Sequence, residues 1–180
     1  MPGIRTDALP PRLGLVAASP GRPSALDGAW WPRSPDLGAE APSLLAAVGA
    51  ARGSRAIHLT YDPSIWDPNP GRMYVDGHRV KVGWFRAGDP HQVTVTLING
   101  TRLVLMVVPS EMDANQASWA LERSVEPGNV LRPGELLELA RLSGRDDGLQ
   151  RWFGEGGMAS RPASSEDGPT AGQARVQEQQ

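Results

Sequence analysis

The chain has no cysteine and a single lysine, Lys81. The first absence excludes disulfides, thiolate metal ligands and cysteine nucleophiles. The second leaves arginine to carry nearly all the positive charge, and the arginines are scattered rather than gathered into a stripe. Such scatter follows from GC-rich coding and is not the footprint of a phosphate-reading surface. Charge of one sign is lacking too: 18 basic against 20 acidic residues give a net charge of −2. No global field recruits nucleic acid or anionic membrane, so neither is expected as a partner. Long apolar runs are absent: the longest, Leu103 to Val108, is far short of the roughly 20 residues a spanning helix needs. Leu13 to Ala18 is too short and broken for the core of a signal peptide. A cytoplasmic location is the expectation.

Aromatic residues are few, but their placement is informative. Six of the ten lie in three short segments: Asp27-Gly28-Ala29-Trp30-Trp31-Pro32-Arg33-Ser34, Tyr61-Asp62-Pro63-Ser64-Ile65-Trp66-Asp67-Pro68, and Trp84-Phe85-Arg86-Ala87-Gly88-Asp89-Pro90-His91. Each couples aromatics to carboxylates beside Pro or Gly. The segments are expected to meet at one end of a sheet, as a binding site or as a packing corner.

These residues carry a resemblance. Asp27 to Ser34, Leu44-Leu45, Tyr61 to Asp67, Trp84-Phe85-Arg86 with Asp89-Pro90-His91, and Leu105-Met106-Val107-Val108-Pro109 resemble a family of small uncharacterised proteins from high-GC Gram-positive bacteria, whose signature is Asp-Gly-Ala-Trp-Trp-Pro-Arg-Ser. The likeness runs from about Pro11 to Val125. It implies no activity, cofactor or catalytic residue.

The pattern along the chain predicts an α+β domain: a mostly antiparallel sheet of five to six strands, with two consecutive hairpins, packed with two to three helices. Arg12 to Ala17 reads as an edge strand. Ser34-Pro35 is a helix entry, followed by an apolar stripe of Leu37, Ala41, Leu44, Leu45 and Val48 that Pro42 should kink or restart. Asp76-Gly77 and Asn99-Gly100 predict two-residue hairpins. Leu103 to Val108, apolar throughout, predicts a central strand covered on both faces. Ser110 or Asp113 caps a following helix, and a last helix from Pro133 is expected to stop at Ser143-Gly144. Three regions follow: a disordered arm over 1–11, one domain over 12–153, and a disordered polar tail over 154–180.

The candidate binding residues are Asp27, Trp30, Trp31, Arg33, Trp66, Asp67, Trp84, Arg86, Asp89 and His91. Adjacent tryptophans on an extended segment point to opposite faces, so Trp30 and Trp31 cannot fill one core together. Arg33 and Arg86 are the residues to grasp a carboxylate or phosphate, or to pair with Asp27, Asp62, Asp67 and Asp89. Those aspartates stand before Pro or Gly, where turn capping alone accounts for them. Asp89 and His91 form an orienter-base pair only if Ser34 or Ser64 supplies a nucleophile, and no Gly-x-Ser-x-Gly elbow exists. His58, His78 and His91 lack metal-ligand spacing, and no Gly-rich phosphate loop is present. Neither catalytic residue, metal nor cofactor is assigned. The sequence names no function. It supports a small binding or regulatory module with an aromatic, Arg-lined site, taking an unidentified small ligand or protein. The alternatives are an enzyme using the Asp residues and His91, and a structural interaction domain. Oligomeric state is left open.

Overall fold

The structure, a computed structural model, describes residues 9–17, 24–67, 72–86 and 88–154, without the side chains of residues 145–154. Of the arm and tail expected to be disordered, residues 1–8 and 155–180 lie outside the described residues. Seven strands and three α-helices follow in the order β1 (Arg12–Leu15), β2 (Gly28–Trp31), α1 (Leu37–Arg52), β3 (Ala56–Tyr61), β4 (Met73–Val75), β5 (His78–Trp84), β6 (Gln92–Leu97), β7 (Arg102–Val107), α2 (Ala114–Ser124) and α3 (Pro133–Gly154). The α+β class is observed. The sheet is larger than expected and mixed, in the order β1-β2-β7-β6-β3-β5-β4, with β2 parallel to β7 and β3 parallel to β5.

The reason lies in the connections. The chain leaves β2, crosses one face as α1 and returns as β3, but β2 and β3 do not pair. The β6–β7 hairpin inserts between them, β7 joining β2 and β6 joining β3. Gly28-Ala29-Trp30-Trp31, which the sequence pattern does not mark as a strand, is an inner strand. Both hairpins form where the turn dipeptides predict, but the second closes at Leu97 and Thr101 around a three-residue loop instead of the two-residue turn expected. Asp76 and Gly77 have φ of 48° and 76°, as a type I′ turn requires. Gly100 has φ of 87°, and Asn99 Oδ1 accepts from the Thr101 amide at 3.0 Å.

Two apolar layers hold the sheet. On one face Leu37, Ala41, Leu44, Leu45 and Val48 of α1 pack on Trp30, Leu59, Val80, Val93, Val95, Leu103, Leu105 and Val107. On the other, Ala117 and Ala120 of α2 and Leu136, Leu137 and Ala140 of α3 pack on Ala29, Met106 and Val108. β7 contributes alternately to both layers, as its unbroken apolar run predicts. Among the described residues no helix is long and apolar enough to cross a membrane.

Helix limits bring two corrections, at the start of α1 and at Ser143-Gly144. α1 is capped by Asp36, whose Oδ1 accepts from the Ala39 amide at 3.1 Å, and not by Ser34. Ser34 Oγ instead donates to Glu40 Oε1 at 3.0 Å. Pro42 sits inside a helix that runs on without restarting. Ser143-Gly144 does not end α3: a Cβ on Gly144 would lie 2.4 Å from Gln116 Nε2, so this glycine is where α3 closes on α2. The Asp113 cap is observed, its Oδ1 accepting from the Asn115 amide at 2.9 Å.

Candidate functional site

Strand direction decides where the three aromatic segments go. β2, β7, β3 and β5 all point the same way, so the segments after Trp31, Tyr61, Trp84 and Val107, and the one leading into β6, lie at one end of the sheet. A cleft of about 240 Å³ opens there, lined by Pro32, Ser34, Pro35, Ile65, Trp66, His91, Val107, Val108, Pro109, Ser110 and Glu111. Its floor is apolar because β7 and the Pro-rich turns close it from below.

Trp30 and Trp31 part as strand alternation requires. Trp30, fully buried on the α1 side, stacks on Trp66 with ring centroids 5.4 Å apart and planes 20° from parallel. Trp31 turns to the opposite layer. The Arg12 guanidinium lies 3.4 Å from the centre of the Trp31 ring, while its Nε donates to Trp31 O at 3.0 Å and its Nη2 to Pro32 O at 2.7 Å. Burial, and then Arg33 nearby, hold the Arg12 pKa below its ordinary value. Arg12 thus fixes the start of the Pro32–Ser34 rim, a role the sequence did not reveal because its partners are backbone carbonyls 19 and 20 residues away.

The other arginines are placed differently from expectation. Arg33 is exposed and donates to Pro10 O at 2.9 Å. Arg86 is exposed and reaches Asp62 only through its field. Neither forms an ion pair with Asp27, Asp62, Asp67 or Asp89; among the described residues the pair observed is Arg123–Glu126, at 2.7 Å. The reason is that three of the carboxylates bind backbone amides. Asp27 Oδ2 accepts from the Val104 amide at 2.7 Å. Asp62 accepts from the amide and hydroxyl of Ser64, which hold its pKa low. Asp89 Oδ1 accepts from the His91 amide and Oδ2 from the Gly134 amide, each at 2.9 Å, so it also caps α3 from a distant loop. Asp67 is exposed, with its amide bonded to Pro35 O. Trp84 lies at the same end of the sheet but is 59% exposed and outside the cleft.

Two polar atoms in the cleft wall stand out. Trp66 Nε1 and His91 Nδ1 are both buried and without a hydrogen-bond partner. A buried polar group left unpaired costs about 1–3 kcal/mol, and both residues line this cleft. Burial is the main cause that lowers the His91 pKa, outweighing Asp89, Val107 and Glu111, which act in the opposite direction. The imidazole is therefore neutral at pH 7.

The architecture and cleft define a mixed-sheet α+β domain with helices on both faces and a concavity at the strand ends. The chain belongs to a family of unknown function, DUF5994, whose model matches residues 12–124. The match takes in the sheet, the cleft and α2 and ends before α3. No curated protein and no solved structure matches the chain.

Proposed function

We propose that this domain is a binding module whose site is the Trp66–His91 cleft, and that its ligand is small and neutral, with an apolar body and a hydrogen-bonding group. The observation that carries this is the pair of buried, unpartnered ring nitrogens, Trp66 Nε1 and His91 Nδ1, on two residues that line one apolar cleft. Trp66 Nε1 can only donate, so the ligand must present an acceptor to it. No arginine lines the cleft, and its one charged lining residue is Glu111, which disfavours an anionic ligand. The volume is below the roughly 300–1,000 Å³ of drug-sized sites, which suits a compact molecule such as a lactam or cyclic amide. Binding is favoured over catalysis because Asp27, Asp62 and Asp89 are all bonded to backbone amides, which commits these carboxylates to the fold.

The test is titration of the full chain with small lactams, following the indole N–H resonances. The Trp66 resonance, assigned through Trp66→Phe, is expected to shift saturably while that of Trp119 stays still. Ser34→Trp, which fills the mouth from a half-buried rim position, should remove the response. A Trp66 resonance indifferent to every acceptor-bearing probe would overturn the reading.

A further inference from the structure

The second face of the sheet is covered on one side only. α2 and α3 lie over β2 and β7, while no described element covers the same face of β6, β3, β5 and β4. Register identifies what stands there. Thr94 pairs with Thr60 and Thr60 with Gly83; Arg102 pairs with Thr96, Thr96 with His58 and His58 with Lys81; Arg79 pairs with Tyr74. Paired residues share a face, and a Cβ on Gly83 would lie 3.1 Å from His58 Nε2, which fixes that side. Phe85 extends the row beyond β5, beside Thr60 and Thr94.

The composition of this surface is one-sided. Strands β3 to β7 contain no Asp or Glu. Their three permanent cations, Arg79, Lys81 and Arg102, all point to this side, Arg102 from the exposed start of β7 beside Thr96, and none is in an ion pair among the described residues. Tyr74 and Phe85 stand there too, 58% and 63% exposed. From β7 to β5 the cations span three strand spacings, roughly 14 Å. Exposed aromatics, unpaired cations and hydroxyls on strands that carry no carboxylate match the chemistry of single-stranded nucleic acid: phosphates on the cations, bases stacked on the rings, with Asp62 and Asp89 confined to the end of the surface beside Phe85. An acidic polypeptide would use the cations but not the rings. A duplex is disfavoured because its major groove admits a helix or a two-stranded ribbon, not a sheet four strands wide.

We propose that this uncovered face binds single-stranded nucleic acid, with Arg79, Lys81 and Arg102 on phosphates and Tyr74 and Phe85 beneath bases. The site is separate from the cleft and does not depend on the ligand proposed there.

The experiment measures fluorescence anisotropy of labelled twelve-nucleotide oligothymidylate and oligouridylate with the full chain, and of labelled polyglutamate, over a salt series. Both oligonucleotides are expected to bind. Arg79→Gln/Lys81→Gln/Arg102→Gln should flatten the salt dependence by about 0.7 in log–log slope for each phosphate that is no longer neutralised. Tyr74→Ser/Phe85→Ser should weaken the oligonucleotides about ten-fold or more and leave polyglutamate unchanged. All five residues are exposed, and circular dichroism checks that each variant keeps the fold. Three results overturn the proposal: no oligonucleotide binding at low salt, equal binding by the charge-neutral variant, or binding of polyglutamate without oligonucleotide, which would identify an acidic protein surface instead.

Discussion

One face of this sheet has two halves, and they were built to different rules. Over β2 and β7 it presents Ala29, Met106 and Val108 to α2 and α3 and is closed. Over β6, β3, β5 and β4 it presents Thr, His, Arg, Lys and Tyr and is open. The same strand alternation produces both. The difference lies in what stands at the second position: apolar in the covered strands, polar in the others. A helix settles only where burial releases enough water to offset the ordering of its side chains, so the pattern decides which half is covered.

Glycine substitution should break the comparison most sharply. In the covered half, a Cβ on Gly28 would meet Gly14 O of β1 at 2.2 Å, a backbone atom that cannot turn aside. Gly28→Val is expected to cost about 4 kcal/mol or more and to leave no cooperative thermal transition. Cavity formation ranks next. Met106 is fully buried, and Met106→Ala should lose about 3 kcal/mol, whereas Thr96→Ala on the open half stays within about 0.5 kcal/mol. Urea melts of the two variants check this, and equal losses would mean that the open half is covered.

At the junction of the two halves, Asp89→Ala removes the acceptor for the Gly134 amide and the local turn at His91. A loss of about 1–2 kcal/mol is expected, as for a helix cap, and the same urea melts measure it. His91 gives a gentler, pH-dependent signal. Its folded pKa lies below the ordinary value of 6.5, mainly through burial, so the unfolded chain takes up its proton first. This contribution is absent at pH 8, and stability falls as pH drops below about 6.5. His91→Gln should flatten that part of the acid limb, and an unchanged limb would show that the ring is not buried in solution. The smallest effect belongs to Gly83→Ala. The added methyl meets only the end of the His58 ring, and the change in stability should stay within about 0.5 kcal/mol.

Turns and alternation are readable in the chain because they are local. Asp76-Gly77 and Asn99-Gly100 set both hairpins, the stripe from Leu37 to Val48 sets α1, and Leu103 to Val108 foretells a strand buried on both sides. Trp30 and Trp31 were bound to part, whatever they packed against. Gly144 reads as a stop because glycine serves both helix ends and close helix crossings, and only the position of Gln116 tells them apart. Part of the cleft is legible too, since Trp66 and His91 are among the candidate residues. Its other walls, Ile65, Val107 to Pro109 and Ser110, belong partly to the family pattern but carry no side chain that marks a binding site by itself.

By itself the sequence determined the α+β class, the alternation of β3, β5 and β6, and the local capping by Asp62, Asp113 and the Asp89–His91 turn, since each rests on groups a few residues apart. Tertiary structure alone decided that the β6–β7 hairpin enters between β2 and β3, that Arg12 and not Arg33 lies on a tryptophan, and that Arg79, Lys81 and Arg102 face one way. These depend on contacts between segments far apart in the chain. Net charge, summed over the whole chain, averages away the sorting of charges that strand register performs.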